Sequence, residues 1–279
     1  MARIVIIQHE IVPPDPVSYC IKLLARRWER EGHEVLYRAG TSDLPDGDLA
    51  IVHVDLSVVP PSYLEAAGRY PRAVNACAQD ILKRTVSRNI LKPGDDWAGP
   101  VIVKSDFNCG GLPEARTATA MIEQGLESEF SKKWNPRYKL FTSIQEVPER
   151  VWTNPRSVVE RFLPERKDGR FHLRTWIFFG PEEICRRFSG ETPILKASGY
   201  GAPEIVDVPD FLRAERERLG FDYGKFDFVI HKGEPILLDA NKTPGIPPPT
   251  KPELRAAYIN LSSGLDWFLT KATVAGTAG

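Results

Sequence analysis

The stretch KFDFVIHKGEPILLDANKTPG, Lys225 to Gly245, sets two apolar runs around a glycine turn and ends in an acid, an amide and a cation. Along a β-strand, successive side chains point to opposite faces. Phe226, Phe228 and Ile230 therefore share one face, and Lys225 and Asp227 take the other. In the second run Ile236, Leu238 and Ala240 fall together, opposite Leu237, Asp239 and Asn241. The apolar faces coincide only if even residues pair with even, which needs an odd-length loop. His231-Lys232-Gly233 fits, with Gly233 at the left-handed position of a three-residue turn. A two-residue loop sets Asp227 beside Leu238 and splits both faces, so burial disfavours it.

That parity gathers Lys225, Asp227, Asp239 and Asn241 on one side of a hairpin. Two carboxylates about 4 Å apart repel by ~4 kcal/mol at an effective dielectric near 20. A fold tolerates this with a cation between them or with a raised pKa. The donors are all oxygens, with no His or Cys among them. Such a set suits Mg2+, which takes few protein ligands and fills its shell with phosphate and water; Mn2+ is an alternative. The same residues also suit a solvated strand end with a Lys–Asp pair and a turn begun by Asn, since exposed ion pairs are common and weak.

Outward from the hairpin, PVIVK (Pro100–Lys104) reads as a short buried strand that ends in Lys104 and runs into a loop holding Gly110 and Gly111. Glycines let backbone N–H groups approach phosphate, and the ammonium adds a point charge. Cys109 lies in that loop; nothing nearby marks it as activated, and it reads as a passive small residue. VVERFLPE reads as strand then turn, a segment whose backbone suits a nucleotide base, with Glu160 and Glu165 as carboxylates for a ribose. Arg174 interrupts the apolar strand RFHLRTWIFFG. A buried arginine needs an anion: phosphate is one solution, a glutamate of this chain the other.

The N-terminal third alternates strands and helices. Arg3–Gln8, Glu34–Tyr37, Asp48–Val54 and RAVNAC read as strands, with helices over Pro16–Glu31 (closed by Gly32), from Ser62 as cap to Tyr70, and over Gln79–Leu91. This implies a small, mostly parallel α/β sheet. Beyond residue 95, hairpins with a helix over Ala115–Phe130 imply an α+β unit. The 279 residues allow one large or two to three small domains. Thirty-seven basic residues balance thirty-seven acidic ones, so no net field favours nucleic acid or an anionic membrane. No apolar run approaches the ~18 residues of a membrane span. Four scattered cysteines, without a Cys-x-x-Cys pair, read as reduced thiols of a cytoplasmic protein. The tail ATVAGTAG reads as disordered.

Four stretches, in this order, resemble the ATP-grasp superfamily. NACAQDILKR resembles its helix that supplies an early lysine, which implies Lys83, with Arg84 second. PVIVKSDFNCGG resembles the strand and glycine-rich loop whose lysine holds the α- and β-phosphates, which implies Lys104. VVERFLPE resembles the hinge that binds adenine, implying Glu160 and the backbone near Phe162. The hairpin resembles the metal-binding signature, implying Asp227, Asp239 and Asn241 as ligands of Mg2+. The likeness covers roughly residues 75 to 250. Two departures stand out: many members carry glutamate where Asp239 stands and arginine where Lys225 stands. Lysine lacks the bidentate fork, which shifts the role of anion clamp towards Arg174.

The resemblance implies an ATP-grasp fold preceded by a small α/β domain. The expected divisions are 1–76 for that domain, 77–159 for the part with the lysines and glycine loop, 160–270 for the part with the hairpin, and 271–279 for the tail. It implies an ADP-forming ligase that activates a carboxylate as an acylphosphate for attack by an amine or thiol, with Arg174 and Lys225 beside the reacting groups. A phosphotransferase on the same scaffold and a non-enzymatic nucleotide-binding module are the competing readings. The partners are a small-molecule or peptide carboxylate and its nucleophile. Oligomeric state stays open, a homodimer being the common arrangement. His53, Asp55 and Ser57, just past a strand, face either a polar substrate or only their own turn, with Ser57 as a local cap. His9 is similar, His172 shares a side with Arg174, and Lys196 to Gly201 reads as a loop over the phosphates.

Overall fold

The structure is a computed structural model that describes residues 1–11, 19–128, 130, 138–195, 203–246 and 252–270. The first elements are β1 (Arg3–Gln8), α1 (Cys20–Arg30), β2 (Glu34–Ala39), β3 (Leu49–Val52), α2 (Pro61–Ala67) and β4 (Ala73–Val74). Their strands form a parallel sheet of order β2-β1-β3-β4. Ile4 to Ile7 in β1 are all fully buried. Ile4 and Ile6 pack with Ile21, Leu24 and Trp28 of α1. Val5 and Ile7 pack with Tyr63 and Ala67 of α2. A continuous apolar strand between two helical layers is what a parallel sheet requires.

The middle of the chain holds α3 (Lys83–Val86), β5 (Val101–Ser105), α4 (Leu112–Glu123), β6 (Lys139–Phe141), α5 (Glu149–Trp152) and β7 (Ser157–Arg161). Its antiparallel sheet runs β6-β5-β7. Val101, Val103 and Val159 join Leu91 and Ile144 in a small core. Ile102, Lys104 and Glu160, one residue out of phase, take the opposite face.

The rest comprises β8 (Glu165–Lys167), β9 (Arg170–Phe179), β10 (Glu182–Gly190), β11 (Glu204–Ile205), α6 (Asp210–Arg218), β12 (Tyr223–His231), β13 (Glu234–Asn241), α7 (Pro252–Asn260) and α8 (Gly264–Thr270). The large antiparallel sheet runs β11-β10-β9-β12-β13, with β8 added on β9. Alternation along β9 feeds two cores. Trp176 and Phe178 meet Phe226, Phe228 and Leu237. Ile177 and Phe179 meet Trp28 and Leu265. The parallel sheet and the large sheet thus share one core, and the Trp28 indole N–H donates to the Ser262 carbonyl at 2.8 Å. Among the described residues no helix is long and apolar enough to cross a membrane.

Several expected boundaries move, each for a local reason. The helix expected over Gln79–Leu91 shrinks to Lys83–Val86. The Asp80 carboxylate captures the Leu82 N–H at 2.8 Å, and Leu91 N–H donates to Val159 of β7. Backbone groups satisfied elsewhere have no need of a helix. The helix expected over Ala115–Phe130 runs Leu112–Glu123 and stops at left-handed Gly125, φ +76°. Pro60, not Ser62, precedes α2, so a proline at the first turn replaces a side-chain cap. The start expected at Pro16 and the tail 271–279 lie outside the described residues.

The hairpin turn also differs. It is a two-residue turn in which Lys232 and Gly233 are both left-handed, φ +53° and +91°, the geometry that follows strand twist best. The parity problem is solved further along. Phe228 pairs with Leu237 but Asp227 pairs with Asp239, so Leu238 is the extra residue of a β-bulge. Leu237 turns to the core and Leu238 joins the face of the carboxylates.

RAVNAC yields only the two-residue β4, because Asn75 turns the chain at φ +61°. Asn75 is fully buried. Its Oδ1 accepts the Asp222 and Tyr223 N–H groups at 2.9 and 3.0 Å, and its Nδ2 donates to the Tyr223 carbonyl at 2.8 Å. It thereby fastens the parallel sheet to the start of β12. Asn75→Ala strands these buried groups and is expected to cost about 3 kcal/mol or more in urea unfolding. Asn75→Gly, which relieves only the backbone, should recover less than half of that. A loss under about 1 kcal/mol for Asn75→Ala would show that the clasp is dispensable.

Candidate active site

The bulge sets Thr175, Asp227 and Asp239 in one row across three strands, with Lys225 and Asn241 as the next pair on that face. Asp227 accepts from Thr175 Oγ1 and from Lys225 Nζ, both at 2.8 Å. Asp239 Oδ1 accepts from Lys83 Nζ at 2.7 Å. Lys83 opens α3 and its side chain is 2% exposed. Burial alone would lower its pKa. The Asp239 carboxylate reverses this and, with Tyr138 and Glu160, holds its pKa above the ordinary lysine value. Lys225 follows the same pattern, with Asp227 overcoming the cost of burial. The acid pair is therefore bracketed by two ammonium groups. Asn241 Oδ1 accepts the Thr243 N–H at 2.8 Å.

The opposite wall belongs to β5 and β7. Lys104 Nζ contacts Glu160 Oε2 at 2.7 Å, with both side chains buried. Glu160 Oε1 is buried with no hydrogen-bond partner, an open acceptor beside a cleft. That cleft is lined at its polar end by Lys104, Glu160, Asp227 and Asp239, and elsewhere by apolar groups such as Ile102, Phe162, Leu163, Val229 and Leu238. Such a mixture suits a flat heterocycle with a charged tail. Phe162 N–H is already donated to the Pro100 carbonyl at 2.9 Å, which fixes the strand exit.

Glu165 and Arg174 lie elsewhere. Arg174 forks onto Glu165 through Nη2 at 2.8 Å and Nε at 3.0 Å, and Glu165 Oε2 also accepts the Ile230 N–H at 2.7 Å. Of the two readings of Arg174, the structure displays the ion pair. Burial raises the Glu165 pKa, but Arg174 and the Ile230 N–H outweigh it and hold the group below the ordinary 4.5.

The glycine-rich loop forms a tight turn, Asn108–Gly111, in which Cys109, Gly110 and Gly111 are all left-handed. Three successive positive φ values turn backbone groups outward in a way only glycine adopts freely. Cys109 reaches solvent, yet the surrounding protein and the Asp239 carboxylate push its thiol up to about 12, which fits a passive residue.

The residues after β3 are engaged by other parts of the chain. His53 is buried. Asp55 accepts from Tyr19 Oη at 2.6 Å and from Thr243 Oγ1 at 2.5 Å. Ser57 is buried and holds its neighbours by hydrogen bonds rather than capping a helix. His9 bonds locally to the Ile11 N–H. His172 does line the cleft, with Nδ1 on Ser189 Oγ at 2.8 Å. The segment 196–201 lies outside the described residues.

The cation that ends the signature stretch received no role in the sequence reading. Lys242, next to Asn241, is fully buried, and its Nζ donates to the Ser57 carbonyl at 3.3 Å. Burial pulls its pKa down to about 7 against the pull of Glu114, Asp55 and Asp80. A lysine directly after the amide of the signature was the available signal.

Among the described residues no three His, Cys, Asp or Glu groups gather as a metal cluster. The test for Mg2+ therefore rests on the donors present. Two facing carboxylates and an adjacent amide give three oxygen-donor groups, and the ammonium groups beside them supply countercharge to the acids. That set fits an ion whose remaining ligands are phosphate and water.

No family model and no curated protein matches this chain. Solved structures do. The RimK domain ATP-grasp protein from Sphaerobacter thermophilus is 15% identical, with a TM-score of 0.50 over 96% of this chain and 99% of that one. The ATP-grasp ligase PsnB, solved with minimal precursor, Mg and ADP, is 12% identical, with a TM-score of 0.51 over 93% and 97%.

The Arg174–Glu165 fork generates a pH test. A depressed folded pKa contributes stability that is present above the unfolded value and lost as pH falls through the folded one. Glu165→Gln is thus expected to destabilise fully at pH 6–7, with the deficit relative to wild type shrinking below pH 4.5. Urea midpoints across that range measure it, and a deficit that grows on acidification would contradict the assignment.

Proposed function

We propose that this chain, whose fold is that of the ATP-grasp superfamily, is an ATP-dependent ligase that activates a carboxylate as an acylphosphate for attack by an amine or thiol. The observation that carries the reading is the facing of two lysine–carboxylate systems. Lys83–Asp239 and Lys225–Asp227 lie on the hairpin side, and Lys104–Glu160 on the far wall of the same cleft. PsnB, of the same fold, was solved with Mg and ADP.

In this reading the apolar walls with Phe162 and Leu163 take the base, and the unpartnered Glu160 Oε1 accepts a hydrogen bond from it. Asp227, Asp239 and Asn241 would hold Mg2+, which neutralises phosphate charge when bound. Three lysines balance three carboxylates here. Lys83 and Lys225, which pair with Asp239 and Asp227 here, would add positive charge beside a phosphate tail held by that ion. Lys104 and the turn Asn108–Gly111 cradle the phosphate tail. The bond from the terminal phosphorus to the bridging oxygen breaks, and a new one forms to the substrate carboxylate. The nucleophile then forms its bond to the acyl carbon, phosphate departs, and the nucleophile's proton leaves with it. Electrostatic stabilisation does most of the work, as expected for phosphoryl transfer. The four free thiols fit a reducing compartment such as the cytoplasm.

The test is incubation with ATP, Mg2+, a panel of carboxylates and hydroxylamine, which traps an acylphosphate as hydroxamate. Hydroxamate together with ADP is expected for at least one acid. ADP with no hydroxamate for any acid would sink the ligase reading. The variant to use is Asp239→Asn, expected to lower Mg2+-dependent turnover about a hundred-fold or more. Asp239→Asn keeps an oxygen acceptor for the buried Lys83 ammonium, whereas Asp239→Ala removes charge and acceptor together, at roughly 3–5 kcal/mol.

A further inference from the structure

Ser57 sits outside the cleft, yet four hydrogen bonds lead from it to separate parts of the site. Its N–H donates to Glu114 Oε1 at 2.7 Å, near the start of α4. Its Oγ accepts the Asn108 N–H at 2.8 Å, at the head of the glycine turn. Its carbonyl accepts the Ile81 N–H at 2.8 Å, two residues before Lys83, and Lys242 Nζ at 3.3 Å, beside Asn241. Ser57 is 1% exposed and Lys242 is not exposed at all. The second oxygen of Glu114 is buried without a hydrogen-bond partner, and the carboxyl is held by the Ser57 N–H, the Ser57 hydroxyl and its own backbone N–H.

These bonds have a common logic. The glycine turn, the segment that carries Lys83 and the end of the metal-binding hairpin come from different stretches of chain, and no strand pairing joins the first two to the third. One buried residue from the parallel sheet's side touches all of them. Lys242 closes the set, because its stem is held by the same turn that places Asn241, whose Oδ1 bonds to Thr243 N–H. A constellation that must hold polyphosphate needs this kind of support, since a misplacement of about 1 Å in a supporting shell is enough to lose function.

We propose that Ser57, with Lys242, is the positioning centre of the site: it fixes the glycine turn, the Lys83 segment and Asn241 in one register, so that the phosphate tail and its cation meet a preformed cradle. Neither residue touches nucleotide. The proposal rests on the ATP reading above.

It is tested by calorimetric titration of the full chain with two probes. One is AMP-PNP, the β,γ-imido analogue of ATP, with Mg2+, which engages the whole site. The other is adenosine, which engages the base end alone. Ser57→Ala removes the acceptor of the Asn108 N–H, and Lys242→Met keeps the stem and removes the ammonium. Each is expected to weaken Mg2+–AMP-PNP about ten-fold or more, the effect of roughly one lost charge-assisted contact. Adenosine should stay within about three-fold, and Ser57→Thr, which keeps the hydroxyl, should restore the analogue to within about three-fold. Wild-type affinity for the analogue in Ser57→Ala overturns the proposal. So does an equal loss of both probes, the mark of a merely structural role. If Lys242→Met does not fold, Ser57→Ala and its threonine rescue decide alone. Wild type binding neither probe overturns the ATP reading itself, and this inference with it.

Discussion

Asp227 and Asp239 face each other across an antiparallel pair, and the surrounding chain is organised by the need to keep two like charges at that distance. In water such a pair is a minor nuisance; in a half-buried cleft it is a constraint on what can lie nearby. The fold answers with Lys225 from the same strand, Thr175 from the next, and Lys83 from a segment 156 residues earlier. The last is the telling one. A buried ammonium is stable only beside its acid, so Lys83 and Asp239 each make the other's burial tolerable. The short helix that carries Lys83 is drawn to the hairpin for this reason as much as for apolar packing.

The same economy of paired charges appears across the cleft, where Lys104 meets Glu160, and beyond it, where Arg174 meets Glu165. The two pairs differ in what they leave open. Glu165 has both oxygens committed, and its pair serves the sheet. Glu160 keeps one oxygen unengaged at the wall of the cleft. Two glutamates five residues apart, indistinguishable by composition, are separated in role by which of their oxygens already has a partner.

How much of this was legible in the sequence follows from the range of the forces involved. Alternation in KFDFVI and PILLDAN displayed the row of acids, because period-two burial is a local property. Lys104 and the twin glycines were visible for the same reason. Helix limits near Asp80 and Gly125 were misplaced where one side chain or one left-handed residue redirected the backbone. The hairpin was right at the acids and wrong at the turn: an odd loop and an even loop with a bulge give the same parity at a distance, and no local rule separates them. Asn75, Ser57 and Lys242 were invisible in these roles, since each acts through partners more than fifty residues away. The resemblance pointed to Lys83, Lys104, Asp227, Asp239 and Asn241, while the structure revealed what holds those side chains in place.

The bulge at Leu238 has a consequence of its own. It isolates the carboxylates from the tip of the hairpin, as a slack link isolates two gears. Beyond it the pairing obeys the tight Lys232-Gly233 turn; before it the pairing obeys the row through Thr175. A lineage in which the tip gained or lost a residue could absorb the change by dissolving or shifting that single irregularity. The tip is thereby free to drift in length and composition, and the chemistry-bearing end is not.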